Sequence, residues 1–97
     1  MKREADPAAM LGRALAASAR AAGVSVEVED SRRRSWASAT FVGERVEMAL
    51  RVEGETAGSW LAGLPNEELT LRGWLVADLA VSQAPGGKLE ALVLRDG

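Results

Sequence analysis

The stretch Ser35–Glu53, SWASATFVGERVEMALRVE, contains the pattern that decides the fold. Two segments of alternating apolar and polar residues flank the pair Gly43 and Glu44, and a two-residue loop that begins with glycine is typical of a type II′ hairpin. That turn would set Phe41 opposite Val46, so that the apolar side chains of both segments share one face. The sequence therefore predicts an antiparallel hairpin that turns at Gly43 and Glu44.

A further strand is predicted upstream of this hairpin. The segment Val24–Glu29 alternates strictly between valine and polar residues, which is the pattern of a half-buried strand. A tight turn at Ser31 and Arg32 would set Glu29 opposite Arg34. The three segments together predict an antiparallel meander.

Two helices are predicted to flank the meander. Asp6 is a typical N-cap and Pro7 a typical first helical residue, and Gly23 is suited to a left-handed residue at the end of this helix. A short second helix is predicted from Thr56, as its N-cap, to Pro65.

The last third of the chain predicts a second hairpin. In the segment Leu69–Gln83, Leu75, Leu79 and Val81 would share one face, and Trp74, Val76, Asp78 and Ala80 would share the other. The register of the following strand is open. A three-residue loop over Pro85–Gly87 would pair Leu79 with Val93, and a two-residue loop would pair it with Leu92.

These elements predict one α+β domain over residues 1–97. It has an N-terminal helix, a three-strand antiparallel meander, a short helix and a two-strand hairpin (α-β-β-β-α-β-β), with the helices on one face of the sheet. This order is similar to that of small acidic dimeric secretion chaperones, and the likeness implies a homodimer that binds other proteins.

Composition narrows the possible functions. The 97 residues include no cysteine and no histidine, which excludes thiolate chemistry and removes the commonest general base, so no cofactor, metal site or catalytic residue is predicted. The net charge of −2 disfavours nucleic acid as a partner. No apolar run approaches the roughly 20 residues of a membrane span, and the charged N-terminal segment is interpreted as a helix of a cytoplasmic, bacterial protein rather than a signal peptide.

The run Arg32–Arg34 beside Trp36 has two interpretations. Arg32 and Arg33 are possible phosphate contacts, with the indole as a stacking surface for a base. In the alternative, which we favour, the run is a hairpin tip whose charges are balanced by acidic neighbours, and Trp36 stacks on Arg51.

Asp78 is the only charged residue in the stretch WLVADLAVS. Together with Arg51 and Arg72 it is a candidate for binding a ligand or for an ion pair, and it would contribute to a pocket between the first helix and the sheet if the protein bound a small molecule or were a simple enzyme.

The face of the sheet away from the helices is the strongest candidate for a binding surface. It would carry Trp36, Val42, Trp74 and Val76, and an apolar patch of this kind on a small protein is typical of an interface. The expected function is that of a small non-enzymatic binding protein, chaperone- or adaptor-like, that forms a homodimer and binds a protein partner.

Overall fold

The computed structural model describes residues 6–82 and 87–96, and within them the strands form one antiparallel sheet in the order β1-β2-β4-β3. The elements are α1 (Pro7–Ala21), β1 (Ser25–Ala37), β2 (Val42–Glu53), α2 (Ala57–Gly63), a 3₁₀ turn (Leu64–Asn66), β3 (Trp74–Ser82) and β4 (Gly87–Arg95). The predicted α+β class is confirmed, with an N-terminal helix, a short helix before the last hairpin and both helices on one face. The observed order is α-β-β-α-β-β, one strand fewer before α2 than the order on which the likeness to secretion chaperones rests.

The first helix begins and ends where its capping residues predict. The side chain of Asp6 accepts a hydrogen bond of 2.9 Å from the backbone N–H of Ala8, and Pro7 occupies the first helical position. At the other end Gly23 has a φ of 75°, which a residue with a side chain rarely adopts.

Both helices pack on one face of the sheet, which we call the helix side. Leu11, Leu15 and Ala19 of α1 are fully or almost fully buried and are spaced four residues apart, so they form one stripe of the helix. The strands contribute the alternate residues Val46, Met48, Leu50, Leu79, Leu89, Ala91 and Val93 to the same core. The opposite face, which we call the outer face, is covered by neither helix.

The predicted turns at Ser31–Arg32 and at Gly43–Glu44 are both wrong. The arginine run lies within the 13-residue strand β1, and the chain reverses over Ser38–Phe41 instead. There the Ser38 N–H donates to the Phe41 carbonyl at 2.8 Å, and the Ser38 hydroxyl accepts from the Phe41 N–H at 3.2 Å. A serine that binds the backbone in this way stabilises a turn without glycine.

This change of turn alters the register of the first hairpin. Trp36 pairs with Gly43 instead of lying opposite Arg51, and Arg34 pairs with Arg45 instead of Glu29. Phe41, which the predicted turn sets opposite Val46, lies in the observed turn and is 52% exposed.

Gly43 serves a different purpose from the one predicted. A Cβ atom built on it would lie 2.1 Å from the backbone oxygen of Val93 on β4. Glycine is therefore required here because β4 approaches too closely for any side chain.

The second hairpin also has an unexpected register, in which Leu79 pairs with Ala91 rather than with Val93 or Leu92. The pairing shifts between Val76 and Asp78, so Ala77 is an extra residue on β3. The loop predicted at Pro85–Gly87 falls largely outside the described residues.

Candidate interaction face

One end of the outer face is apolar. We call the four residues that pair across the sheet there the apolar row: Trp36, Gly43, Leu94 and Leu75. Gly43 has no side chain, so nothing on β2 stands between Trp36 and Leu94. Leu94 is only 8% exposed, whereas Leu75, at the edge of the sheet, is 55% exposed. A large apolar side chain is thus presented to solvent in the same row as a half-buried tryptophan at the opposite edge of the sheet.

The next row of the outer face combines arginine with aspartate. We call it the charged row, and its residues pair in the order Arg34, Arg45, Leu92 and Asp78. Among residues 6–82 and 87–96, none of these three charged side chains has a hydrogen bond or an ion pair. Two positive charges on one side of the face and a negative charge at its far edge are therefore available to a partner.

Beyond the charged row the outer face contains a groove. It has a volume of about 430 Å³, and its lining residues include Asp30, Arg32, Glu47, Ala49, Lys88 and Glu90. We call this the outer groove. Its mixed charges and shallow form distinguish it from the apolar end of the face.

Of the four residues predicted at the interface, only Trp36 lies on the outer face. Trp74 and Val76 pack against the core on the helix side, and Val42 lies on the helix side at the end of the sheet, where it is 55% exposed. The reason for the difference on β3 is the extra residue Ala77, which reverses the alternation of side chains along the strand.

Leu75 is a candidate interface residue that the pattern did not identify. A signal was present in the sequence, because Trp74 and Val76 occupy one parity of the strand and Leu79 and Val81 occupy the other. Two apolar pairs of opposite parity are compatible with one buried face only if an extra residue separates them.

The arginine run is divided between the two faces. Arg33 points to the helix side, where its Nη1 lies 2.9 Å from Oδ1 of Asp6 and 3.5 Å from Oε1 of Glu44. Arg32 lies on the outer face, with its Nε 3.7 Å from Oδ2 of Asp30. Both arginines proposed as phosphate contacts therefore have an acidic neighbour.

Arg51 is paired with acidic residues other than Asp78, and not with the Trp36 ring that was predicted to stack on it. Its guanidinium donates to the carboxylate of Glu27 and lies 3.7 Å from that of Glu29. The hydrogen bond to Glu27, and then the nearby carboxylate charges, raise the pKa of Arg51 above its usual value. The cation–π contact is formed elsewhere, with Arg95 5.3 Å from the ring centre of Trp74.

The structure does not bring Asp78, Arg51 and Arg72 together. Asp78 lies in the charged row, Arg51 pairs with Glu27 at the other end of β2, and Arg72 lies in the turn that leads into β3.

Within the described residues no group of three or more acidic side chains is arranged to hold a metal ion. No helix in this part of the chain is long and apolar enough to cross a membrane.

A second depression lies at the end of the sheet beside the start of α1. It has a volume of about 250 Å³ and includes Asp6, Arg33, Glu44, Trp74 and Arg95. Oε1 of Glu44 is buried there without a hydrogen bond, and its nearest cation is Arg33. The sequence did not predict this cluster because it depends on the unforeseen register of β1 against β2.

Comparison with known proteins found no matching family model, no matching curated protein and no matching solved structure.

Proposed function

We propose that this chain is a non-enzymatic binding protein, adaptor- or chaperone-like, that binds another protein through the apolar and charged rows of its outer face. The observation that carries the proposal is the apolar row, with Trp36 at one edge and the exposed Leu75 at the other, next to three charged groups without partners in the described part of the chain. Tryptophan and arginine are the residues most enriched at the centres of protein interfaces.

The charge distribution supports a protein partner more strongly than nucleic acid. Arg33 is engaged on the helix side by Asp6 and Glu44, and Arg32 lies beside Asp30 and opposite Glu47. Protein surfaces that bind nucleic acid carry a clear excess of positive charge, whereas the outer face carries acidic and basic groups together.

Position-specific cross-linking tests the proposal. A photo-reactive amino acid placed at position 75, on the outer face, is compared with the same group at Ala17, an exposed residue of α1, in cells that produce the chain. We expect adducts from position 75, and we expect Trp36→Ala to reduce them at least several-fold while circular dichroism stays unchanged. Equal adducts from both positions, or adducts unaffected by Trp36→Ala in a folded protein, would contradict it.

A further inference from the structure

We infer that the outer face binds a second copy of this chain, face to face, with the twofold axis parallel to the strands. The inference rests on the proposed function and names its partner. A twofold interface uses the same surface on both copies, so the face must be complementary to itself. The edge residues of the apolar and charged rows meet this condition in one orientation, in which the central Arg45 lies opposite the partner's Leu92.

The cross-strand register determines which residues would meet. An axis parallel to the strands, between β2 and β4, keeps each row opposite the same row of the partner and exchanges β1 with β3. Trp36 then faces the partner's Leu75, and Arg34 faces the partner's Asp78. Because the arrangement is symmetric, each of these contacts occurs twice.

The other aligned orientation fits less well. Two packed sheets keep their strands within about 30° of each other, so the alternative axis runs across the strands. When that axis passes through the middle of the face, so that the two faces overlap fully, it exchanges the two ends and sets the apolar row against the outer groove. Trp36 would then lie against the partner's Asp30 and Leu94 against the partner's Lys88, so these polar groups would lose water without gaining apolar contact. Arg34 would lie against the partner's Arg32, which sets two like charges together.

The distances between packed sheets suit the contacts in the favoured orientation. Facing sheets lie about 10 Å apart, a gap that one long arginine and one short aspartate together can span. Four strands about 4.8 Å apart and nine residues long offer a flat area of roughly 600 Å², the outer groove included, which is at the lower limit of the roughly 600–1,000 Å² per partner of a standard interface.

The row that contains Glu47 and Glu90 would bring like charges together. In the favoured orientation Glu47 faces the partner's Glu90, and like charges at close range oppose association. These carboxylates line the outer groove, where the surface recedes and the volume of about 430 Å³ leaves room for water between the copies. Solvated carboxylates repel each other much less than dry ones.

Charge exchange at the facing pair tests this orientation. Arg34→Asp and Asp78→Arg would each create two like-charge contacts in a homodimer, so we expect either variant to dissociate at least tenfold more readily than the wild type in sedimentation equilibrium. A mixture of the two single variants restores both opposite-charge contacts and should form a heterodimer. The double variant should dimerise again, and Arg13→Asp, a charge reversal on the exposed side of α1, should leave dimerisation unchanged.

The outcomes separate the inference from the proposed function. A wild-type dimer whose two single variants, although folded by circular dichroism, fail to associate when mixed would overturn the orientation. A wild-type chain that stays monomeric at millimolar concentration would overturn self-association, whereas specific adducts from position 75 with other proteins would still support the proposed function. The absence of specific adducts from position 75 in the chain that keeps Trp36 would overturn the proposed function itself.

Discussion

Single residues in this protein decide how closely its strands approach. Gly43 is the clearest case, because it allows the β4 backbone to lie where a side chain would otherwise stand and leaves the indole of Trp36 facing Leu94. One missing side chain thus fixes both the pairing of the central strands and the shape of the apolar row.

We predict that Gly43→Ala destabilises the protein by about 1–3 kcal/mol, because the new methyl group meets backbone that cannot move without breaking the β2–β4 pairing. Urea unfolding followed by tryptophan fluorescence measures the loss. Gly63→Ala is the matched control, since no atom lies within 4 Å of its added Cβ. Equal effects of the two substitutions would show that the close approach at Gly43 is not what matters.

Asp6 has two roles at the residue scale. The same oxygen accepts the capping hydrogen bond from Ala8 and pairs with Arg33, so it joins α1 to β1. We predict that Asp6→Ala costs about 1 kcal/mol of unfolding free energy and that Asp6→Asn, which keeps an oxygen for the cap, costs less. Thermal or urea unfolding checks the order of the two variants, and an asparagine as costly as alanine would mean that the ion pair rather than the cap dominates.

At the scale of elements, the short helix α2 is held to α1 by a chain of hydrogen bonds. The indole N–H of Trp60 donates to the Ser18 hydroxyl at 2.9 Å, and that hydroxyl donates to Glu67 at 2.6 Å. Trp60 is itself part of the core, so the position of α2 depends on apolar packing and on this polar link.

We predict that Ser18→Ala destabilises the protein by about 1–2 kcal/mol, because it leaves the partly buried indole N–H of Trp60 without its partner. Ser59→Ala, which removes only an exposed hydrogen bond to Thr56 within α2, should cost less than about 0.5 kcal/mol. Urea unfolding compares the two, and a cost of Ser18→Ala no larger than that of Ser59→Ala would refute the role of the link.

Elements with strong local signals were predictable from the sequence, and their pairing was not. Asp6, Pro7 and Gly23 define α1 through local chemistry alone. The glycine at position 43 suggested a turn, yet its reason lies in a contact with β4, 50 residues further along the chain. The extra residue at Ala77 likewise depends on the partner strand, and because of it Trp74 and Val76 lie on the helix side and not on the outer face as predicted. Trp36, on β1, lies on the outer face as the pattern predicts.

At the scale of the whole molecule, the sheet has one face on which both helices pack and one that neither helix covers. The helix side buries most apolar residues of the four described strands or packs them against the core, apart from the exposed Val28 and Val42. The outer face ends in the apolar and charged rows. A chain of 97 residues has little apolar surface to spare, so side chains left on an open face bear on its stability as well as on its partners.

If the folded chain forms a dimer through the outer face, mass action favours the folded state at higher concentration, and for a chain of this size each tenfold increase should raise the Tm by about 3 °C. Leu75→Glu places a charge in the apolar row and should make the Tm independent of concentration, while Ala17→Glu, on the exposed side of α1, should keep the dependence. Scanning calorimetry from micromolar to millimolar protein measures it. A wild-type Tm that does not change over this range would show that the folded chain gains no stability from a second copy.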